Sequence, residues 1–347
     1  MRRIQAGFLY NWWYIGIEPE QGEALAKEGK ALSVGTCNPV LGLPGHDPVY
    51  IRQHIARTFD EATRQIKQYR DFAAKQGISI FFRGQNRDYF NNNCLNVTPA
   101  ANRKDDWSHA YAQAGQSFID EKFSPWNEVI ERELKVEPET GLLYWFSDPL
   151  QPTKETAAPL ADRHDAARIG TNPLTMAIAM HYGFPTLCLD VSANELVSIW
   201  FALYRAHLDA KGAIAFFPLV PDFEHSSFDS LPSLYIYLQK SDRETPVVDL
   251  THIDQLRGMA HRPFVQSAVA LPFRTFGAFA SSLMDGGFAR VEGAALRYPT
   301  AVIKLLFTHR EMQAVCPEIN ANYLFPKADR LYQSLSAAQV PELAVYA

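Results

Sequence analysis

The chain has 347 residues, of which 47% are hydrophobic and 12% are aromatic. A chain of this length and composition can bury a substantial core, so we predict a folded globular protein. The formal net charge is −5, which provides no overall basic field to attract nucleic acid. Bulk nucleic-acid binding is therefore a poor hypothesis for this chain.

The cysteines and the apolar runs indicate whether the chain binds metal and where in the cell it is found. No C-x-x-C pair is present, and no histidine stands at ligand spacing, so we expect neither a zinc site nor a disulfide framework. No apolar run reaches the roughly 18 residues of a membrane helix, and the N-terminus lacks the pattern of a secretory signal. We therefore expect a cytoplasmic protein that binds no metal and no membrane. The cysteines are Cys37, Cys94, Cys188 and Cys316.

The first third of the chain divides by composition and periodicity. Residues 1–48 are dense in Gly, Pro and aromatic residues, which predicts an irregular arm packed on the core. Apolar residues recur in steps of three and four over residues 49–76, which predicts an amphipathic helix ended by Gly77. The sequence ISIFF at residues 78–82 predicts a strand, and residues 107–135 predict another helix.

The middle of the chain combines a proline-rich segment with closely spaced elements. Residues 137–168 predict a loop-like insertion. A short apolar helix follows Pro173 and ends at Gly183, and residues 186–192, TLCLDVS, predict a strand.

A capping motif follows this strand. Ser192 and Glu195 have the S-x-x-E spacing of a capping box, which predicts a helix over residues 193–212 that ends at Gly212.

The second half of the chain is rich in predicted strands, with few helices between them. This order favours an α+β fold, in which helices pack on a mixed, largely antiparallel sheet, over a regularly alternating parallel sheet. We therefore expect residues 49–347 to form a single domain against which the arm of residues 1–48 packs. The later predicted strands are LYIYLQ, PVVDL, FVQSAVAL and AVIKLLF, and the later helices lie near residues 309–316 and 328–338.

An arginine ends the first predicted strand. Alternation along IFFRGQ places Arg83 on the same face as Phe81, where an unpaired guanidinium would cost several kcal/mol, on the order of a broken buried ion pair. An anionic ligand or a carboxylate of the protein itself would satisfy it. Gly84 would let the backbone turn away, and Gln85 would lie at the mouth of the resulting site.

A polar row follows the second predicted strand. Thr186, Cys188, Asp190 and Ser192 alternate with apolar residues and so share one face. Buried polar side chains need partners, and Asp190 could meet either Arg83 or a ligand. Capping of the next helix is an equally complete explanation of Ser192.

Three further polar residues lie close to predicted elements. His181 and Tyr182 stand in the last turn of the short helix, where His181 is either a hydrogen-bonded core residue or a site residue. Gln266 alternates with small residues on a predicted strand, as an edge amide or as a contact to a ligand. Phosphate-loop, dinucleotide, serine-hydrolase and zinc-hydrolase motifs are absent, so any catalysis needs a different set of residues.

These motifs resemble the FRG domain family. FFRGQ at residues 81–85, Pro99 and Arg103 in TPAANR, and AMHYGFPTLCLDVSANELVSIWFA match the family's pattern. HRPFVQSAV and YLFPKADRLYQSL are similar to its later segments, so that the resemblance covers roughly residues 50–338. The family occurs in bacteria and phages, which implies a role in conflict or defence.

A more distant similarity to the ADP-ribosyltransferase superfamily implies an ADP-ribosyltransferase-like fold and NAD as the cofactor. By this resemblance Arg83 holds a phosphate, and Asp190 and Ser192 lie on the pocket strand with Thr186. His181 contacts ribose, Tyr182 stacks on nicotinamide, and Gln266 stands where a glutamate is expected. Gly84, Gln85 and Arg103 complete the implied nucleotide site.

The glutamine at position 266 departs from the superfamily's pattern. An amide can orient a ribose hydroxyl, but it can neither act as a base nor stabilise an oxocarbenium-like transition state by charge. Transfer of ADP-ribose to a macromolecule or to water would then require another carboxylate, such as Asp190. The alternative is a recognition module without catalysis, in which Arg83, Asp190 and Gln266 form a structural polar network.

Overall fold

In the computed structural model of the chain, parts of the sequence can be described. They are residues 2–6, 10–14, 17–34, 49–88, 90–91, 94–95, 116–134, 145–146, 157–158, 173–186, 188–208, 213–220, 228–239, 248–253, 256–272, 299–341, 343 and 345–346. Arg103 and most of the predicted insertion at residues 137–168 lie outside this description, as do residues 107–115 at the start of one predicted helix.

The chain combines helices with short strands, as the sequence predicts. The helices are α1 (Pro19–Lys27), α2 (Phe59–Gln76), α3 (Gln116–Leu134), α4 (Pro173–Met180), α5 (Glu195–Leu203), α6 (His261–Val265), α7 (His309–Val315), α8 (Ala321–Leu324) and α9 (Arg330–Ala337). The strands are β1 (Arg2–Ala6), β2 (Tyr10–Tyr14), β3 (Ala31–Val34), β4 (Val49–Ala56), β5 (Ser79–Gln85), β6 (Phe90–Asn91), β7 (Cys94–Leu95), β8 (Trp145–Phe146), β9 (Ala157–Ala158), β10 (Cys188–Ser192), β11 (Tyr204–Leu208), β12 (Ala213–Pro218), β13 (Ser233–Gln239), β14 (Val248–Asp249), β15 (Ala268–Pro272), β16 (Ala301–Leu305) and β17 (Val345–Tyr346).

One eight-stranded sheet organises the fold. Its order is β14-β15-β10-β5-β13-β16-β4-β3, and every neighbouring pair is antiparallel except β16 and β4. The fold is therefore α+β, with a mixed and mostly antiparallel sheet. A separate three-stranded sheet has the order β11-β12-β17.

Two hydrophobic clusters share one face of the large sheet. The first surrounds Trp126 and Phe184 and includes Ala268 and Ala270 of β15. The second surrounds Trp200 and includes Phe82 of β5 together with residues of α2 and α5. Because Ser192 of β10 pairs with both Ala268 and Phe82, these side chains lie on the same side of the sheet.

The opposite face of the sheet has its own apolar cluster. Phe81, Leu189 and Tyr235 belong to it, as do Val191 and Val302. Phe81 and Phe82 are both buried, on opposite sides of the same strand, which explains why two large apolar residues follow each other in its sequence.

The segment before residue 49 contributes regular structure, which the composition did not predict. Strand β3 pairs with β4 and forms an edge of the large sheet, and Ile17, Ala31 and Tyr50 form a small cluster with α1. The predicted irregular arm is therefore partly wrong, because β3 gains its ladder hydrogen bonds only through a long-range pairing that local composition does not encode.

Two predicted helices have different bounds. Residues 49–56 form a strand, and the helix begins only after Thr58, whose side chain accepts a hydrogen bond from the Glu61 backbone N–H. The spacing of Ile51 and Ile55 misled the prediction, because a step of four is also an even step and fits one face of a strand. Gly77 ends this helix in the left-handed conformation, as predicted, with φ of 61°.

The helix predicted over residues 193–212 ends much earlier. It spans Glu195–Leu203, and the chain continues as strand β11. The Asn86 side chain explains the end, because its amide donates to the carbonyl oxygens of Phe201, Ala202 and Tyr204 at 3.2, 3.1 and 2.7 Å. These carbonyls have no partner within a terminating helix, and the long-range amide supplies one.

Gly84 allows close packing rather than a turn, which corrects the sequence interpretation. It lies within β5, opposite Leu234 of β13. A Cβ atom there would overlap the Ser198 carbonyl oxygen and approach the Ala202 backbone nitrogen to 2.7 Å. Strand β5 and helix α5 therefore touch backbone to backbone, which only glycine permits.

Replacing Gly84 with alanine should destabilise the fold strongly. The added methyl group meets backbone atoms that cannot move aside, so we expect a loss of about 3 kcal/mol in the free energy of unfolding, measured by denaturant titration. Gly77→Ala is the matched control: open space surrounds that position, and the strained φ alone should cost about 1 kcal/mol. Equal losses in both variants would contradict the packing role of Gly84.

Candidate functional site

A cleft of about 320 Å³ contains most of the predicted site residues. It lies on the helical face of the sheet, between the cluster around Trp126 and the cluster around Trp200, because its lining includes Met180 from one side and Val197 and Phe201 from the other. The predicted residues that line it are Arg83, Gly84, Gln85, His181, Asp190, Ser192 and Gln266.

Two predicted residues do not line this cleft. The Tyr182 side chain is fully buried within the first cluster, and Thr186 is 1% exposed and likewise absent from the lining. Arg103 cannot be placed, since it lies outside the described residues. The structure therefore gathers residues from three separate sequence motifs, but not every residue within each motif.

The cleft forms where two neighbouring strands separate. Strands β5 and β10 share a single register pair, Phe82 with Ser192. Continued pairing would place Gly84 opposite Asp190, but the Arg83 Nη1 atom donates to the Asp190 carbonyl oxygen instead, at 2.5 Å. The side chain of Arg83 thus replaces a ladder hydrogen bond at the point of separation.

The Arg83 guanidinium has donor groups that its contact with Asp190 does not use. Among the described residues it forms no ion pair with Asp190, and its Nε atom is buried without a partner. The sequence left open whether Arg83 meets a phosphate or the Asp190 carboxylate. The observed contact goes to the backbone of Asp190, so both the cation and the carboxylate remain available to a ligand.

Gln266 has a different local structure from the predicted one. It caps the C-terminus of α6 and precedes Ser267, whose φ is 47°, and strand β15 begins only at Ala268. The residues HRPFV favour a helical turn here because Pro263 occupies its first turn, where a missing backbone N–H costs nothing. The alternation of small residues around Gln266 was therefore not a strand signal.

Gln266 links His181 to a distant segment. Its Oε1 atom lies 3.0 Å from His181 Nδ1, and its Nε2 atom donates to the Leu324 carbonyl oxygen at 2.9 Å. His181 is 6% exposed, and its other ring nitrogen, Nε2, is buried without a partner among the described residues. Within the described part of the chain, the ring is therefore held through Nδ1 alone.

Ser192 has a structural role at the edge of the cleft. Its hydroxyl donates to the Gln266 carbonyl oxygen at 2.7 Å and accepts from the Asn194 backbone N–H at 2.9 Å. The N-cap of α5 is Asn194, whose side chain accepts from the Leu196 N–H. The N-cap thus lies two residues beyond the predicted one, and Ser192 instead connects β10 to the end of α6.

Tyr182 belongs to a buried polar network. Its hydroxyl donates to both carboxylate oxygens of Asp329, at 2.9 and 3.0 Å, and the same carboxylate accepts the backbone N–H groups of Arg262 and Tyr332. The Arg262 guanidinium lies over the rings of Tyr182 and Tyr332, at 4.9 and 4.4 Å from their centroids. This network explains Tyr182 without a ligand.

Aromatic residues that the sequence analysis did not single out form one side of the cleft. We call them the aromatic wall: Phe201, Tyr204, Phe216 and Phe325. Phe216 and Phe325 stack with ring centroids 4.7 Å apart, and Phe201 meets Phe325 edge-on at 6.1 Å. The cleft therefore offers an aromatic surface next to a polar one, an arrangement suited to a small molecule with both characters.

A second buried network lies on the other face of the sheet, just beyond FFRGQ. Lys304 and Asp88 form an ion pair, and the Tyr235 hydroxyl donates to the same carboxylate. Burial, followed by the Asp88 charge, raises the pKa of Tyr235 well above its ordinary value, and burial lowers the pKa of Lys304. Because the Lys304 amino group also donates to Ser233, this network joins the segment just after β5 to β13 and β16.

The described residues were compared with the requirements of a metal site and of a membrane-spanning helix. No group of three or more His, Cys, Asp or Glu side chains there could hold a metal ion. No helix in the same part of the chain combines the length and apolarity needed to cross a bilayer.

Tyr182→Phe tests the structural assignment of that residue. Loss of the hydroxyl removes a buried donor from the Asp329 carboxylate, and we expect a loss of about 1–3 kcal/mol in the free energy of unfolding, measured in denaturant. Tyr323→Phe, at an exposed tyrosine, should stay within about 0.5 kcal/mol of the parent. If both variants keep the parent's stability, the network does not hold Tyr182 in place.

Comparison with known proteins identifies part of the chain. The family model of the FRG domain matches residues 78–211, a narrower range than the motif resemblance over residues 50–338. No curated protein and no solved structure matches this sequence. The matched range contains Arg83, His181 and Asp190, three residues that line the cleft. The chain therefore carries an FRG domain.

Proposed function

We propose that the cleft binds NAD and breaks the bond between nicotinamide and ribose, so that ADP-ribose passes to a macromolecule or to water. One observation carries the proposal: three buried polar atoms of cleft-lining residues have no partner among the described residues. They are Arg83 Nε, Gln85 Oε1 and His181 Nε2. Buried polar groups are normally satisfied, so three such atoms around one cleft indicate a polar ligand.

The chemistry of these atoms favours a phosphorylated sugar. Arg83 Nε carries a hydrogen and a positive charge, so it calls for an anionic acceptor such as a phosphate. Gln85 Oε1 is an acceptor and calls for a donor such as a ribose hydroxyl. A nucleotide supplies both groups within one molecule, whereas a purely apolar ligand would leave these atoms unsatisfied.

The aromatic wall and the size of the cleft support the same ligand class. A planar base packs well against aromatic rings, and Phe216 and Phe325 already present stacked faces. A volume of about 320 Å³ is near the lower end of ligand pockets, which span about 300–1,000 Å³. It suits one nucleotide half of NAD better than the whole dinucleotide.

Asp190 supplies the charge that bond cleavage needs. The bond from ribose C1′ to nicotinamide breaks with its electron pair going to nicotinamide, which leaves a sugar cation that a nearby carboxylate stabilises. Water or a macromolecular hydroxyl then forms the new bond to C1′, and its proton is released. Within the described lining Asp190 is the one carboxylate, and the neutral Gln266 cannot replace it.

Recognition without catalysis is the second candidate function. Both ends of the Gln266 side chain are engaged, by His181 and by the Leu324 carbonyl, and no charge stands at that position. A site built in this way can hold a nucleotide without breaking it. The two candidates share the ligand and differ in turnover, so one set of variants separates them.

Arg83→Gln tests ligand binding. Loss of the charge-assisted contact should weaken NAD or ADP-ribose binding about tenfold to a hundredfold, measured by isothermal titration calorimetry. Arg70→Gln is the matched control, since Arg70 also donates to a backbone carbonyl just after β10, that of Ala193, but lies outside the cleft lining. If neither nucleotide binds the parent protein, or if both variants bind equally well, the assignment of Arg83 is wrong.

Asp190→Asn tests catalysis separately from binding. The amide preserves the shape but removes the negative charge, so we expect NAD affinity to change little and nicotinamide release to fall about a hundredfold or more, measured by chromatography of the products. Expression of the parent in bacterial cells should lower cellular NAD, as a role in conflict or defence requires, and the variant should not. Binding without nicotinamide release by the parent would favour the recognition module.

A further inference from the structure

We infer that Gln266 is a positioning residue that fixes His181 in the tautomer with its proton on Nδ1, so that Nε2 accepts a hydrogen bond from a ribose hydroxyl of the ligand. The identity of that ligand rests on the proposed function, whereas the assignment of the tautomer rests on contacts within the chain. The inference makes the site selective for ribose over deoxyribose.

The orientation of the Gln266 amide follows from its two partners. A backbone carbonyl oxygen can only accept a hydrogen bond, so the group that faces the Leu324 carbonyl at 2.9 Å must be the NH₂ of the amide. The amide oxygen then faces His181 Nδ1 at 3.0 Å. The reverse orientation would place two oxygen acceptors against each other at Leu324.

The His181 tautomer follows in turn from the amide. Because the Gln266 oxygen is an acceptor, His181 Nδ1 must carry the hydrogen. In the neutral ring the lone pair then belongs to Nε2, the nitrogen that has no partner among the described residues. A carbonyl oxygen on α8 thus sets the hydrogen-bonding character of a ring that lines the cleft.

Gln266 is held firmly enough to impose this choice. It is 5% exposed, its backbone N–H donates to the Arg262 carbonyl, and its own carbonyl accepts from the Ser192 hydroxyl at 2.7 Å. Both ends of the side chain are engaged as well, so the amide has little freedom to rotate.

A neutral acceptor at this position specifies one kind of ligand group. An acceptor nitrogen repels phosphate oxygens but pairs with a hydroxyl, and the positive charge of Arg83 lies in the same cleft to receive the phosphate. His181 therefore recognises the sugar, while Arg83 recognises the anion. A sugar that lacks the relevant hydroxyl leaves Nε2 unsatisfied, which costs affinity out of proportion to the missing atom.

The first experiment needs no ligand. Nitrogen-15 NMR of the parent protein with labelled histidine distinguishes protonated from unprotonated ring nitrogens, and His181→Gln identifies the His181 signals by their disappearance. We expect the neutral ring to carry its proton on Nδ1 and none on Nε2. A proton on Nε2 would overturn the inference, whether or not the protein binds NAD.

Gln266→Glu then tests the positioning role. The carboxylate stabilises the doubly protonated ring, so both nitrogens should carry protons, and Nε2 should become a donor. Gln266→Leu removes the acceptor altogether and should shift the ring towards the tautomer with its proton on Nε2. A merely structural role would lower the stability of both variants and leave the His181 nitrogen signals as in the parent, which would also overturn the inference.

The ligand part is tested by calorimetry with NAD and with NAD analogues in which hydrogen replaces one hydroxyl of either ribose. The parent should bind one of these analogues about tenfold more weakly than NAD, and Gln266→Glu should lose this preference. Equal binding of every analogue by the parent would contradict the role of His181 in sugar recognition. If the NMR result is as expected but NAD does not bind, the tautomer assignment stands and the proposed function fails.

Discussion

The separation of β5 from β10 is the constraint on which the site depends. Their ladder is reduced to one register pair at Phe82 and Ser192, and the Arg83 side chain takes the Asp190 carbonyl that a longer ladder would have paired. The opening is kept in shape by the contact between Gly84 and the backbone of α5. A continuous sheet would satisfy its own backbone and leave no room for a ligand at this position.

Two buried carboxylates near the FRG motifs are satisfied within the protein, whereas three residues that line the cleft carry unsatisfied atoms. The Asp329 carboxylate accepts from three donors, the Tyr182 hydroxyl, which its two oxygens share, and two backbone N–H groups. Asp88 is likewise matched by Lys304 and Tyr235. Among the residues that line the cleft, Arg83, Gln85 and His181 instead each have a buried atom without a partner in the described part of the chain. Neighbours in sequence, such as His181 and Tyr182, thus have different roles.

Much of the fold and of the site could be predicted from local patterns. Alternation correctly placed Asp190 and Ser192 on the face opposite Leu189 and Val191, and Gly77 correctly marked a helix end. The aromatic wall was not predicted, because its residues come from three segments of the chain that converge only in three dimensions. The sequence analysis assigned Gln266 to a strand, whereas it caps the short helix α6. The prediction failed because the neighbouring residues fit a short helical turn as well as a strand.

The sequence by itself determined the α+β class, the position of Arg83 at the end of a buried strand and the polar row before α5, since these depend on periodicity and the cost of burying charge. Tertiary structure decided which groups each polar atom meets. The end of α5 depends on the amide of Asn86, and the tautomer of His181 depends on the carbonyl of Leu324 through Gln266. Hydrogen-bond partners 58 to 118 residues apart follow from packing, which no local pattern encodes.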